Sequence, residues 1–180
     1  MKLRLSEDEM LALWRRRRGL EPLRNDCAVT RTDGIDIDAY LRDEMRGWYM
    51  NLLDTGEERM LSSRDIARLT AVRPVEAGVS RVALPDGCRR VLSVELTGFD
   101  SPAIVMTDAA SPLVRAQGNP FARGARHRPV ALVSGGVMML YTAPSAGVPR
   151  VERMMCVVEP DEGFYELDEA ALSLIPGIDL

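Results

Sequence analysis

Hydrophobic periodicity in this chain of 180 residues shifts near Arg73-Pro74, from a spacing of about 3.6 residues to one of about 2. Such a shift confines the fold to a helical part followed by a sheet part. Residues 1–72 read as a helical N-terminal part, and 73–180 as a β-rich part with a short C-terminal helix, together one compact unit. Strands collected after helices, rather than alternating with them, predict an α+β architecture. The N-terminal helices pack on an antiparallel β-sheet or a small sandwich or barrel.

Local signals fill in that outline. Ser6 and Glu9 have the spacing of a capping box, and Met10, Leu11, Leu13 and Trp14 follow at helical spacing until Gly19. From Asp36 to about Asp54, an apolar stripe of Ile37, Tyr40, Leu41, Met45, Trp48, Tyr49, Leu52 and Leu53 predicts the strongest helix, ended by Gly56. Trp48 and Tyr49 lie about 100° apart around it. At least one is expected in the core, and Trp48 is a candidate interface anchor. Ser62 with Asp65 ahead of Ile66, Ala67 and Leu69 predicts a short third helix.

Beyond Pro74 the expected strands are 79–84, 91–97, 103–107, 130–134, 137–142 and 151–158. Leu92, Val94 and Leu96 alternate with Ser93, Glu95 and Thr97, which predicts one wet face. Gly135-Gly136 between apolar runs predicts a two-residue hairpin. Residues 166–175 return to a helical pattern, ended by Pro176-Gly177. Residues 109–128 carry Ser111-Pro112, Gly118-Asn119-Pro120 and Gly124 and read as irregular. A loop of that length inside a compact domain is often either functional or mobile, and it is the first place to seek a contact surface.

Known chemistry finds little purchase. The single histidine, His127, and the widely spaced Cys27, Cys88 and Cys156 do not make a zinc site or a disulfide framework. Asp33-Gly34-Ile35-Asp36-Ile37-Asp38 lacks the remaining ligands of an EF-hand and reads as a helix start capped by Asp36. No phosphate-binding glycine motif is present. A Ser-His-Asp set is arithmetically available from His127, Asp108 and Ser111, Ser134 or Ser145, but no serine sits in a Gly-x-Ser-x-Gly turn. Arg89 and Arg90 beside Cys88 favour its thiolate, yet no base accompanies it. No metal, cofactor or catalytic residue is therefore expected, and a hydrolase or thiol enzyme is the least favoured class. The longest apolar runs, 130–133 and 137–141, fall well below a membrane span, and acids occupy the N-terminal stretch where a signal peptide needs apolar residues. The expectation is a soluble, cytoplasmic protein.

Charge distribution is more telling than the net −4, which itself argues against a protein that coats nucleic acid. Only Lys2 among the 23 basic residues is a lysine, which reflects either partner contacts or coding bias. Arg15 to Arg18 end the first helix, where they suit the helix dipole or contact phosphate or an acidic surface. Residues 109–151 contain no acid and five arginines, Arg115, Arg123, Arg126, Arg128 and Arg150, whereas 152–180 hold eight acids against Arg153. Opposite blocks of this kind suit head-to-tail contact between copies, or attraction within one monomer. The candidate contact residues are Arg115, Arg123, Arg126, His127, Arg128, Trp48, Arg15 and Arg16.

Two stretches carry a family resemblance: Leu84-Pro85-Asp86-Gly87-Cys88-Arg89-Arg90-Val91-Leu92-Ser93-Val94, and Gln117-Gly118-Asn119-Pro120-Phe121 leading to Arg128-Pro129-Val130-Ala131. With the order of helices, β region and final helix, the layout resembles the head-to-tail adaptor proteins of tailed phages and prophages, similar to the tail tubular group. The chain departs from that layout in having one short helix at its C-terminal side. The resemblance implies a non-enzymatic structural protein of bacterial virion assembly, forming a ring or other oligomer. The alternative is a small ligand- or nucleic-acid-binding module, although no Arg/aromatic interleaving makes a base-stacking platform.

Overall fold

The computed structural model describes residues 1–20, 36–75, 79–123, 127–142 and 150–177. The protein is α+β, and its chain forms two compact units: residues 1–62 with 160–180, and residues 63–159. Where the sequence pattern changes near residue 73, the structure changes unit at Ser63 and returns to the first unit at Pro160.

In the first unit, β1 (Lys2–Ser6) pairs antiparallel with β10 (Phe164–Asp168), in a register that sets Leu3 opposite Leu167 and Leu5 opposite Tyr165. This five-residue strand corrects the reading of the whole N-terminal part as helical. Its partner lies near the other end of the chain, where no local pattern reveals it. Helix α1 (Glu7–Arg17) starts at the expected capping box: Ser6 accepts from the Glu9 N–H while Glu9 accepts from the Ser6 N–H. Helix α2 (Ile37–Thr55) starts at Asp36, whose carboxylate accepts from the N–H groups of Asp38 and Ala39. Its buried face is Leu41, Met45, Tyr49, Leu52 and Leu53, while Tyr40 of the expected stripe is 65% exposed. The Tyr49 and Tyr165 rings meet edge to face with centroids 4.8 Å apart.

The C-terminal helical reading is corrected in part. Tyr165 and Leu167 are buried at strand spacing in β10, and only Glu169–Leu174 turn helically, as a 3-10 segment capped by Asp168. A helix starting at Glu166 would have cost β1 its partner.

Among its described residues the second unit holds two sheets. One has the order β2 (Ser63–Asp65), β9 (Val151–Val158), β5 (Cys88–Leu96). The other has β3 (Val72–Pro74), β4 (Ser80–Ala83), β8 (Val137–Leu140), β7 (Val130–Ser134), β6 (Ile104–Met106). Val91, Val94, Leu96, Met154 and Cys156 from the first sheet share one core cluster with Val82, Ala131, Met138 and Leu140 from the second. The expected third helix is overturned: Ser63–Asp65 pairs with β9, Asp65 accepts from the buried Met154 N–H and from Ala67 N–H, and only a 3-10 turn over Ala67–Leu69 follows. Tertiary pairing here overrides a local capping signature.

Among the described residues pairing is antiparallel except that β6 runs parallel to β7, a departure from the all-antiparallel expectation. The expected alternation holds at Val94 and Leu96, which are buried, and fails at Leu92. A register shift between Val91 and Ser93 brings Val91 into the buried set with Val94 and Leu96, leaving Leu92 half-buried. A bulge inserts one residue and so moves the alternation by one place. The Gly135-Gly136 hairpin is as expected, with φ of 57° and 74°, the two positive values that a type I′ turn needs.

Candidate functional site

Over residues 108–123, the segment expected to be irregular is built by a chain of local hydrogen bonds. Asp108 starts it, its carboxylate accepting from Ala110 N–H and its carbonyl from Ser111 N–H. A one-turn helix α3 (Pro112–Ala116) follows, with Pro112 where the missing N–H is harmless. Val114 and Gln117 are buried, and the Gln117 amide donates to the Leu113 carbonyl at 3.0 Å. Thus α3 corrects the expectation of an irregular stretch over Pro112–Ala116 alone, because Pro112 and the Ser111 carbonyl, which accepts from Arg115 N–H, favour one helical turn.

Past α3, the Gly118 and Asn119 N–H groups bond back to the carbonyls of Arg115 and Ala116. Asn119 then takes the Phe121 N–H on its side-chain oxygen at 3.0 Å and the Ala122 N–H on its carbonyl at 2.9 Å. Both bonds turn Phe121 outward, and its side chain is 99% exposed. Leaving a phenylalanine in water forgoes roughly 1.5–3 kcal/mol of burial. Sequence reading passed over Phe121; the signal was there in an aromatic residue placed between an Asn-Pro turn and an arginine.

The expected contact residues are placed as follows. Arg115 is exposed on α3, and Arg128 is exposed before β7; neither makes an ion pair among the described residues. Arg123 is half-buried, its Nε donating to the Gln117 carbonyl at 2.9 Å, so it braces the loop. His127 is exposed, and its carbonyl accepts from the Ser101 hydroxyl at 2.5 Å. Arg126, like Cys27 and the Asp33-Gly34-Ile35 part of the acidic run, lies outside the described residues.

The other candidates belong to the first unit, away from this loop in sequence. Arg15 pairs with Asp38 and Arg18 with Glu44, both on α2, and the Arg18 guanidinium also lies 5.7 Å from the Trp14 ring centre. Arg16 is exposed and engaged by a polar or ionic contact of its own. Trp48 is half-buried, its ring 5.5 Å from Trp14 and its Nε1–H donating to the Leu174 carbonyl at 3.3 Å. Its interaction with Trp14 gives it a structural task within the first unit.

Charge also divides by unit. The first unit carries 11 basic and 19 acidic residues, a net −8, and the second carries 12 basic and 8 acidic, a net +4. The Arg loop thus stands on the positive unit. Cys88 and Cys156 lie on one face of the β5–β9 pair, since Cys88 is opposite Val158 and Val91 opposite Cys156. The Cys156 thiol donates to Cys88, which holds the Cys88 thiol below its ordinary pKa and, with burial, pushes that of Cys156 up. Among the described residues no cluster of three His, Cys, Asp or Glu side chains has the arrangement of a metal site, and no helix is long and apolar enough to cross a membrane.

Comparison with protein-family models gives no match, and neither does comparison with curated proteins.

Proposed function

We propose that this protein is a non-enzymatic structural component of an assembly, of the kind represented by phage and prophage head-to-tail adaptors, and that the Asp108–Arg128 loop is its contact surface. The observation that carries the reading is Phe121, fully in water at the end of an internally hydrogen-bonded loop. Aromatic residues with neighbouring arginines dominate binding energy at protein interfaces. Arg115 and Arg128 supply the charge that orients an acidic partner surface. The cytoplasm is the place of synthesis in this reading, and the virion the destination.

A nucleic-acid-binding module has less support. Arg15 and Arg18, half of the run that would meet phosphates, already pair with Asp38 and Glu44. An enzymatic reading finds no side-chain partner for the exposed His127 among the described residues.

The test places a photoreactive phenylalanine analogue at Ala122, an exposed neighbour of Phe121, in cells producing the chain. Irradiation is expected to give protein adducts of discrete mass that vanish when Arg115→Glu and Arg128→Glu are added. Absence of adducts, or adducts indifferent to those charge reversals, overturns the assignment of the loop. Adducts to DNA or RNA would transfer it to the nucleic-acid class.

A further inference from the structure

Two cysteines far apart in sequence meet on the first sheet of the second unit. Cys88 opens β5 opposite Val158, and Cys156 precedes Val158 by two residues on β9, so the register sets both on one face of the strand pair. Cys88 packs against the core cluster that holds Cys156. Both are free thiols, and the Cys156 thiol donates to Cys88. The two ends of this contact differ. Cys156 is 0% exposed, whereas Cys88 is half-buried beside the exposed turn residues Asp86 and Gly87. Its N–H bonds to the Pro85 carbonyl at 3.2 Å, and the Gly87 carbonyl accepts from Glu159 N–H at 2.8 Å, which ties the start of β5 to the end of β9.

We propose that Cys88 and Cys156 form a peroxide-sensitive dithiol, in which Cys88 is the attacking sulfur and Cys156 the resolving one. The hydrogen bond from Cys156 favours the Cys88 thiolate, and a partly accessible thiolate beside a second thiol is the arrangement that redox-sensitive cysteines share. The Cys88 sulfur attacks one oxygen of a hydroperoxide. The O–O bond breaks, and the departing hydroxide or alkoxide takes a proton from solvent to leave as water or alcohol. Cys88 is then a sulfenic acid, oxidised by two electrons. The Cys156 sulfur attacks it, the Cys156 proton leaves with the sulfenic hydroxyl as water, and an S–S bond joins β5 to β9. Loss of the negative charge on Cys88 releases that proton, because the hydrogen bond to Cys88 is the main force that holds it. The register skips a residue between Cys88 and Arg90, and this bulge takes up the closer approach of the sulfurs. A dithiol reductant reverses the link by thiol–disulfide exchange.

The experiment treats the folded full chain, and a Cys27→Ser version of it, with hydrogen peroxide, then alkylates the remaining thiols under denaturing conditions and maps the peptides by mass spectrometry. Both chains should show Cys88 linked to Cys156 within one molecule, at the cost of two hydrogen atoms that dithiothreitol restores. In the Cys27→Ser background, Cys156→Ala should leave at least ~10-fold more sulfenic acid at Cys88 for dimedone to capture, because the resolving thiol is gone. Cys88→Ser should leave Cys156 an unreacted thiol, because the buried sulfur meets no peroxide. Should Cys156→Ala fail to fold, the peptide maps of the two parent chains and of Cys88→Ser still decide the matter.

Cys88 carried on to sulfinic or sulfonic acid without a link to Cys156 overturns the inference. So do disulfides that form only between chains, and so does a folded chain whose two thiols survive peroxide. Oxidation of Cys156 in Cys88→Ser as fast as in the parent overturns the division of roles, since the buried sulfur would then be the one attacked first.

Discussion

Replacing Tyr49 with phenylalanine would remove one oxygen atom and expose how the first unit holds its last strand. Tyr49 is 3% exposed, and its hydroxyl donates to the Glu166 carbonyl at 3.0 Å while accepting from the Glu166 N–H at 2.9 Å. One side chain on α2 thus satisfies both backbone groups of a residue in β10, much as a neighbouring strand would. Each neutral hydrogen bond contributes about 1 kcal/mol net, and a buried group left without its partner costs about 1–3 kcal/mol. Tyr49→Phe is therefore expected to destabilise the protein by about 2 kcal/mol. For a chain of this size that lowers Tm by roughly 4–8 °C.

Tyr165 supplies the control. Its ring packs on that of Tyr49 and is equally buried, but no hydrogen bond to its hydroxyl is seen among the described residues. Tyr165→Phe should change stability by less than about 0.5 kcal/mol. Urea unfolding of both variants, compared at equal m-value, reads the difference. If Tyr49→Phe cost no more than Tyr165→Phe, the bridging hydroxyl would contribute nothing and the account of β10 would be refuted.

Three further expectations follow from the same structure. The carboxylates of Glu9, Asp65 and Asp168 are held below the ordinary range, each chiefly by a backbone N–H bond, from Ser6, Met154 and Ala170 respectively. Depressed folded-state values mean that this stabilisation is present above the unfolded pKa of ~4 and is lost as pH falls further, so Tm should decline below that point. At the β7–β8 hairpin, Gly136→Val forces a branched residue to φ 74° and should cost at least 1–2 kcal/mol, measured by thermal melting, whereas Gly135→Asn at φ 57° should cost less. Phe121→Ser should leave Tm within about 1–2 °C of the parent despite losing a large apolar side chain, because that side chain buries nothing in the isolated chain.

How much of this was legible in the sequence follows from the range of each signal. The capping box at Ser6, the Asp36 cap and the Gly135-Gly136 turn are decided within a few residues, and all three are found where the sequence places them. Strand β1 depends on β10, and β2 on β9, so neither leaves a mark in its own neighbourhood. The shift at Val91 is likewise invisible locally, because a bulge changes which residue faces inward without changing composition. For the candidate site, the arginines and the position of the loop were readable, but the hydrogen bonds of Asn119 that turn Phe121 outward were not. Tyr40 fits the spacing of the apolar stripe, and the structure leaves it exposed instead.

The way the chain leaves the first unit and comes back has a consequence for the order in which it folds. Residues 63–159 are continuous, so every strand of the second unit is available once that stretch has been synthesised. The first unit, by contrast, cannot pair β1 until β10 has been made. Pairing of Ser63 with Val157 brings the two crossing points side by side. The second unit thereby acts as a clasp that more than halves the free loop β1 and β10 must close, which saves at least about 0.6 kcal/mol of closure entropy. Pulse-labelled hydrogen exchange during refolding should accordingly find β5 and β9 amides protected before those of β1, and a lesion in the inner unit should delay the outer one.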